Sequence, residues 1–116
     1  MDSYKDLIVW QKSILLVKDV YLVTAKFPGS ELYGIVNQMR RSAVSIPANL
    51  AEGYARKSKK EYSQFIAISF GSATELETYL IISKELRFID EEVYNKLTSL
   101  LTEILKMLNV LLSRLK

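Results

Sequence analysis

Cysteine and histidine are both missing from this 116-residue chain. Without cysteine there are no disulfides, thiolate nucleophiles or sulfur-ligated metals. Without histidine no Glu-x-x-His pair can be built, so a di-iron carboxylate bundle is excluded. For the same reason Ser42, Ser45 and Ser72 have no imidazole base to activate them. Turn-forming residues are scarce too, with two prolines and four glycines, and long helices joined by few connections are the economical reading. The glycines, at 29, 34, 53 and 71, are scattered and make no phosphate-cradling loop. Uninterrupted apolar runs such as Leu7 to Trp10, Ile14 to Val17 and Val20 to Val23 fall far short of the roughly 20 residues that span a bilayer. The segment Met1-Asp2-Ser3-Tyr4-Lys5-Asp6 has neither the basic stretch nor the cleavage site of a secretory signal, so a cytoplasmic location without membrane contact is expected.

What the chain does have is a composition 49% apolar, enough for one core, and a single domain over residues 1–116 is expected. A first helix is predicted over about Leu7 to Lys26, with Asp6 as its N-cap and Phe27-Pro28-Gly29-Ser30 ending it. Its inward stripe is read as Leu7, Trp10, Ile14, Val17 and Tyr21, beside a second stripe of Ile8, Leu15 and Leu22. A second helix, capped by Ser30, is predicted to reach Ala55 with Leu32, Val36, Met39, Ala43, Ile46, Leu50 and Tyr54 inward. Pro47 falls inside that stripe and is expected to bend the helix without ending it, with Asn49 and Ser45 serving the carbonyls it frees.

Ser58-Lys59-Lys60-Glu61 has the capping-box spacing that starts a third helix, with Tyr62, Phe65, Ile66, Ala73, Leu76, Leu80 and Leu86 inward. Asp90 starts a fourth, with Glu91 and Glu92 in its first turn. Short connections make successive helices antiparallel, so the expected fold is all-α, an up-down-up-down four-helix bundle with a proline kink in its second helix. The fourth helix carries Val93, Leu97, Leu100, Leu101, Ile104, Leu105, Leu108, Leu111, Leu112 and Leu115 in two seams. With the apolar excess of the first helix, these point to burial between copies in a homo-oligomer.

The net charge of +3 is unevenly distributed. Residues 1–60 hold ten Lys or Arg against five Asp or Glu, and residues 61–116 hold six against eight. Arg40, Arg41, Arg56, Lys57, Lys59 and Lys60 form the basic segment, opposed there only by Glu52, and are the candidate nucleic-acid-binding residues. Tyr54 and Tyr62 flank the predicted turn and are candidates for stacking on unpaired bases. Arg40 and Arg41 differ by about 100° around a helix, so at least one is expected to meet a partner, with Glu75, Glu77 or Glu52 as candidate acceptors. Glu75 and Glu77 diverge by about 160° and do not form a paired acid–base site by themselves. No catalytic residue, metal site or cofactor follows from these patterns.

The run Tyr33-Gly34-Ile35-Val36-Asn37-Gln38-Met39-Arg40-Arg41-Ser42-Ala43-Val44-Ser45-Ile46-Pro47-Ala48-Asn49-Leu50-Ala51-Glu52-Gly53 resembles the four-helix-bundle proteins encoded within intervening sequences of bacterial 23S ribosomal RNA genes. Asp6-Leu7-Ile8-Val9-Trp10, Ser58-Lys59-Lys60-Glu61 and Gly71-Ser72-Ala73-Thr74-Glu75-Leu76-Glu77-Thr78 extend the resemblance to about residues 6–89. Arg87-Phe88 departs from the Gly-aromatic pair common in that family. The resemblance implies a ring-like homopentamer with no established enzymatic activity and a suspected association with RNA. It also implies kinship with the basic pentameric accessory proteins of diversity-generating retroelements, which engage nucleic acid and a reverse transcriptase. Two readings result: a non-enzymatic, ring-forming accessory factor that binds RNA or DNA phosphates through the basic turn, or a scaffold that docks a protein partner with no nucleic-acid role.

Overall fold

The computed structural model describes residues 3–115, which form four α-helices: α1 (Ile8–Thr24), α2 (Asn37–Ala55), α3 (Lys59–Glu85) and α4 (Glu91–Arg114). They make an all-α, up-down-up-down bundle with extents of 43 × 24 × 21 Å. Each helix packs on the next in sequence, and α4 returns to α1. The α2–α3 contact is the most extensive and the α1–α4 contact the least. By length and composition α3 is the one described helix apolar enough to cross a membrane; here its Ile66, Ala73, Leu76 and Leu80 are buried and it packs on both α2 and α4.

The first helix is rotated from expectation. Its buried face is Val9, Ser13, Leu16, Val20 and Thr24, whereas Ile8, Ile14, Leu15, Tyr21 and Leu22 are exposed. Two hydroxyls disguise the true stripe. Ser13 Oγ donates to the Val9 carbonyl at 2.6 Å and Thr24 Oγ1 to the Val20 carbonyl at 2.7 Å, so both donors are satisfied within the helix and can face the core. Asp6 does not cap α1. It lies in a short 3₁₀ turn, Tyr4–Asp6, started by the Ser3 hydroxyl accepting from the Lys5 amide, and Leu7 occupies the cap position with no side-chain bond.

Ser30 does not cap α2 either. It sits in a 3₁₀ turn, Gly29–Glu31, followed by a wide turn over Leu32–Val36 in which Gly34 leaves helical geometry (φ −107°, ψ −116°). Regular α-helix starts only at Asn37 and runs to Ala55 with Pro47 buried inside it. Side-chain donors gather beside the proline. Asn49 Nδ2 donates to the Ser45 carbonyl at 2.8 Å, and Ser69 Oγ, from α3, donates to the Ile46 carbonyl at 2.9 Å. Val36, Met39, Ala43, Ile46 and Leu50 are buried as the period predicts, whereas Leu32 is exposed.

Gly53 lets α2 and α3 approach closely: a Cβ there would lie 2.8 Å from Phe65 Cβ and 3.0 Å from Tyr62 Cδ1. Ser58 Oγ accepts from the Glu61 amide at 3.1 Å and Asp90 Oδ1 from the Val93 amide at 2.9 Å, so both predicted caps form. Between them α3 ends in a two-bond motif, with the Phe88 amide donating to the Ser83 carbonyl and the Arg87 amide to the Lys84 carbonyl. This motif needs a left-handed residue, and Arg87 takes it at φ 62°. Leu86, read as inward, is exposed. The α4 stripe is absorbed by the bundle: Leu97, Leu101, Ile104 and Leu108 are buried, and Val93, Leu100, Leu105, Leu111, Leu112 and Leu115 are half-buried against them. Much of the apolar surface left over lies instead on α1 and on Ile68, Ile81 and Ile82 of α3, with Val44 of α2 and Val110 of α4 also exposed.

Candidate nucleic-acid interface

Antiparallel packing decides which of the six basic candidates share a surface. Arg56, Lys57, Lys59 and Lys60 surround the α2–α3 connection and are all exposed. Arg56 is partly spent, because it pairs with Glu52 at 2.6 Å and lies over the Phe65 ring at 4.9 Å. Lys57, Lys59 and Lys60 make no ion pair among the described residues. The fold adds cations that their sequence positions conceal. Tyr4 packs against Tyr54, which brings Lys5 to this end, and Arg114 lines a cleft with Asp6, Leu7 and Ile8. The end therefore presents Lys5, Arg56, Lys57, Lys59, Lys60 and Arg114 against Asp6, Glu52 and Glu61. The opposite end, with Glu31, Glu85, Asp90, Glu91 and Glu92 against Lys26, Lys84 and Arg87, has the reverse balance.

Tyr54 and Tyr62 are only half-exposed. Their rings pack edge-on at 6.2 Å, and Tyr54 meets Tyr4, which in turn meets Trp10 at 5.4 Å. Burial, with Tyr54 beside it, raises the Tyr62 phenol above its ordinary value. These rings stitch the α2–α3 end to the start of the chain, so stacking on bases would have to compete with that packing.

Arg40 and Arg41 belong elsewhere. Arg41 precedes Arg56 by fifteen positions on the α2 path, about 22 Å at ~1.5 Å per residue. Neither arginine forms an ion pair with Glu75, Glu77 or Glu52, since the ion pairs among the described residues are Lys12–Glu103, Glu52–Arg56 and Lys84–Glu91. Instead Arg40 Nε donates to Thr24 Oγ1 at 3.0 Å, with its guanidinium 4.6 Å from the Tyr21 ring centroid. Arg41 is exposed and borders two clefts, one with Tyr21, Arg40 and Asn49 and the other with Ser45, Ser72 and Glu75. In the second cleft the Ser72 hydroxyl donates to Ser45 Oγ at 2.8 Å. Burial and then the neighbouring Glu75 carboxylate raise the Tyr79 phenol above its ordinary value. Sequence reading overlooked Tyr21 and Thr24 as holders of Arg40. The clue was Tyr21 and Thr24 sharing one helical face at three-residue spacing. No group of three or more Asp, Glu, His or Cys side chains placed to hold a metal occurs among the described residues.

No curated protein matches the chain. The crystal structure of a protein of unknown function from Bacteroides thetaiotaomicron, from the S23 ribosomal protein family, superposes with a TM-score of 0.82 at 26% identity, over 90% of this chain and 98% of that one. The model of the 23S rRNA-intervening sequence protein family matches residues 5–110. A match of that extent, on the same bundle of helices, places the chain in the 23S rRNA-intervening sequence protein family.

Proposed function

We propose that this protein is a non-enzymatic, self-assembling helical bundle, a ring-forming accessory factor whose basic end binds RNA or DNA phosphates. The observation that carries the reading is the gathering of Lys5, Arg56, Lys57, Lys59, Lys60 and Arg114 at one end of the bundle, where three of the lysines at the α2–α3 turn have no acidic partner among the described residues. Clusters of this kind bind a phosphate backbone by releasing its counterions and need no base-reading element. A closed ring repeats the cluster around its axis, so the fields of the copies add.

Self-association is supported by the outer face of α1. Ile8, Leu15 and Leu22 recur at seven-residue intervals and are 59%, 49% and 59% exposed, a continuous seam and not isolated leucines. Light scattering during size-exclusion chromatography should give a closed oligomer that Leu15→Glu with Leu22→Glu reduces to monomer. Labelled single-stranded RNA should bind with an affinity that falls steeply with salt and is lost when Arg56, Lys57, Lys59 and Lys60 are all changed to Glu. An oligomer indifferent to RNA and DNA at low salt would overturn the nucleic-acid reading and leave a protein scaffold. A stable monomer at high concentration would overturn the assembly reading.

A further inference from the structure

An arginine without an acidic partner normally keeps its side chain free, because ordering it costs rotamer entropy. Arg40 is ordered all the same. Its Nε is bound to Thr24 Oγ1, and Thr24 is itself buried and anchored to the Val20 carbonyl. The Tyr21 ring supports its guanidinium at 4.6 Å. With Nε occupied, the donors left over are the two Nη groups, which form the fork that recognises phosphate oxygens in pairs. The cleft around it, between α1 and α2, has a volume of about 540 Å³ and is lined by Tyr21, Asn37, Arg40, Arg41, Val44, Ser45, Ala48 and Asn49. It contains two cations, the Asn37 amide and no carboxylate, a composition suited to an anion. The Asn49 amide is spent on the Ser45 carbonyl and hydroxyl, and the cleft volume falls in the ordinary range for small-ligand sites.

We infer that this cleft is a phosphate-binding site, separate from the basic turn, in which Arg40 grips the phosphate of a nucleotide unit and Arg41 adds charge. Tyr21 and Val44, 43% and 41% exposed, supply apolar surface for the attached nucleoside. The nucleotide as source of the phosphate rests on the nucleic-acid reading; the anion site itself does not. A surface lysine acts as a point charge, whereas a held guanidinium selects geometry, so the two sites differ in kind: the turn attracts any polyanion and the cleft recognises one phosphate.

The test uses the full chain with 15N-labelled arginine. Adenosine 5′-monophosphate and a hexauridylate lacking terminal phosphates are titrated separately, observing the Arg40 Nε–H signal, with affinities measured by calorimetry. A saturable shift of that signal is expected, with binding of the responding ligand weakened about tenfold or more by Arg40→Lys. Monophosphate binding is unchanged when the four turn residues are converted to Glu, whereas hexamer affinity falls with the turn. A response to the monophosphate alone assigns a free nucleotide or chain terminus, and a response to the hexamer assigns a backbone phosphate. If the hexamer binds, depends on the turn and leaves Arg40 unmoved, and the monophosphate also leaves it unmoved, the inference is overturned while the basic-end reading stands. Binding of the monophosphate undiminished in Arg40→Lys would equally overturn it. The wild-type signal gives this answer even if Arg40→Lys fails to fold.

Discussion

Replacing Gly53 by alanine should destabilise the protein even though alanine is the better helix former. The added methyl would meet Phe65 Cβ at 2.8 Å and the Tyr62 ring at 3.0 Å, with the Tyr62 carbonyl at 3.3 Å. Carbon atoms rest at about 3.5–4.0 Å. Phe65 Cβ is fixed to its backbone and cannot swing away, and the Tyr62 ring is held by Tyr54, so relief requires α2 and α3 to separate locally. Such overpacking costs roughly 1–3 kcal/mol. The helix-propensity gain of Gly→Ala offsets up to about 1 kcal/mol, and less this close to the end of α2. A net loss of about 1–2 kcal/mol remains, which for a chain of this length lowers Tm by about 4–8 °C. Gly71 is the internal control. It lies within α3, and a Cβ there would have no neighbour within 4 Å, so Gly71→Ala should raise Tm by about 4 °C. Thermal unfolding of both variants by circular dichroism, at one protein concentration because any self-association would shift Tm, gives the comparison. Equal signs for the two substitutions would refute the argument that helix spacing at Gly53 sets the cost.

Arg87→Gly should stabilise the protein by about 1 kcal/mol, because a non-glycine residue at φ 62° carries a left-handed penalty; an unchanged midpoint in urea would count against it. Ser58→Ala removes the acceptor for the Glu61 amide and should cost about 1 kcal/mol in the same assay. Tyr62 titrates above its ordinary value because burial favours the neutral phenol. The folded state then holds its proton longer than the unfolded state, so the stability contributed is complete below the unfolded pKa, about 10, and is lost as pH rises through the folded value. Chemical denaturation between about pH 9 and 11 should show a steeper decline for the native chain than for Tyr62→Phe.

The bundle, its helix order and both internal caps were legible because capping and three- to four-residue periodicity are local. Ser58, Glu61 and Asp90 needed only their own neighbours. Periodicity misled at α1, where a helix apolar on several sides offers more than one stripe and the buried one contains Ser13 and Thr24. Hydroxyls that bond back to the helix carry no hydropathy signal of being core. The start of α2 was obscured for another reason: Gly34 interrupts a run whose apolar spacing continues across it. The basic turn could be read from four neighbouring residues, but not the contributions of Lys5 and Arg114, which depend on how the chain folds back. Nor could adjacency reveal that Arg40 and Arg41 stand a helix length from the turn, on faces of their own.

The uneven contacts among the four helices set an order of opening. The α2–α3 hairpin holds the most extensive interface, the close approach at Gly53 and the Ser69 and Ser72 hydroxyl bonds between helices. The α1–α4 seam holds the least. Amide hydrogens of α2 and α3 should therefore exchange through global unfolding, and those of α1 and α4 through a lower-energy partial opening. The hairpin carries the basic turn and both arginines, so these cations ride on the slow-exchanging half, while Lys5, Arg114 and the seam of Ile8, Leu15 and Leu22 ride on the half that can detach. An α1 released from its own bundle could re-dock on a neighbouring copy, and oligomers interlocked by exchanged first helices would be recognisable by their resistance to dilution.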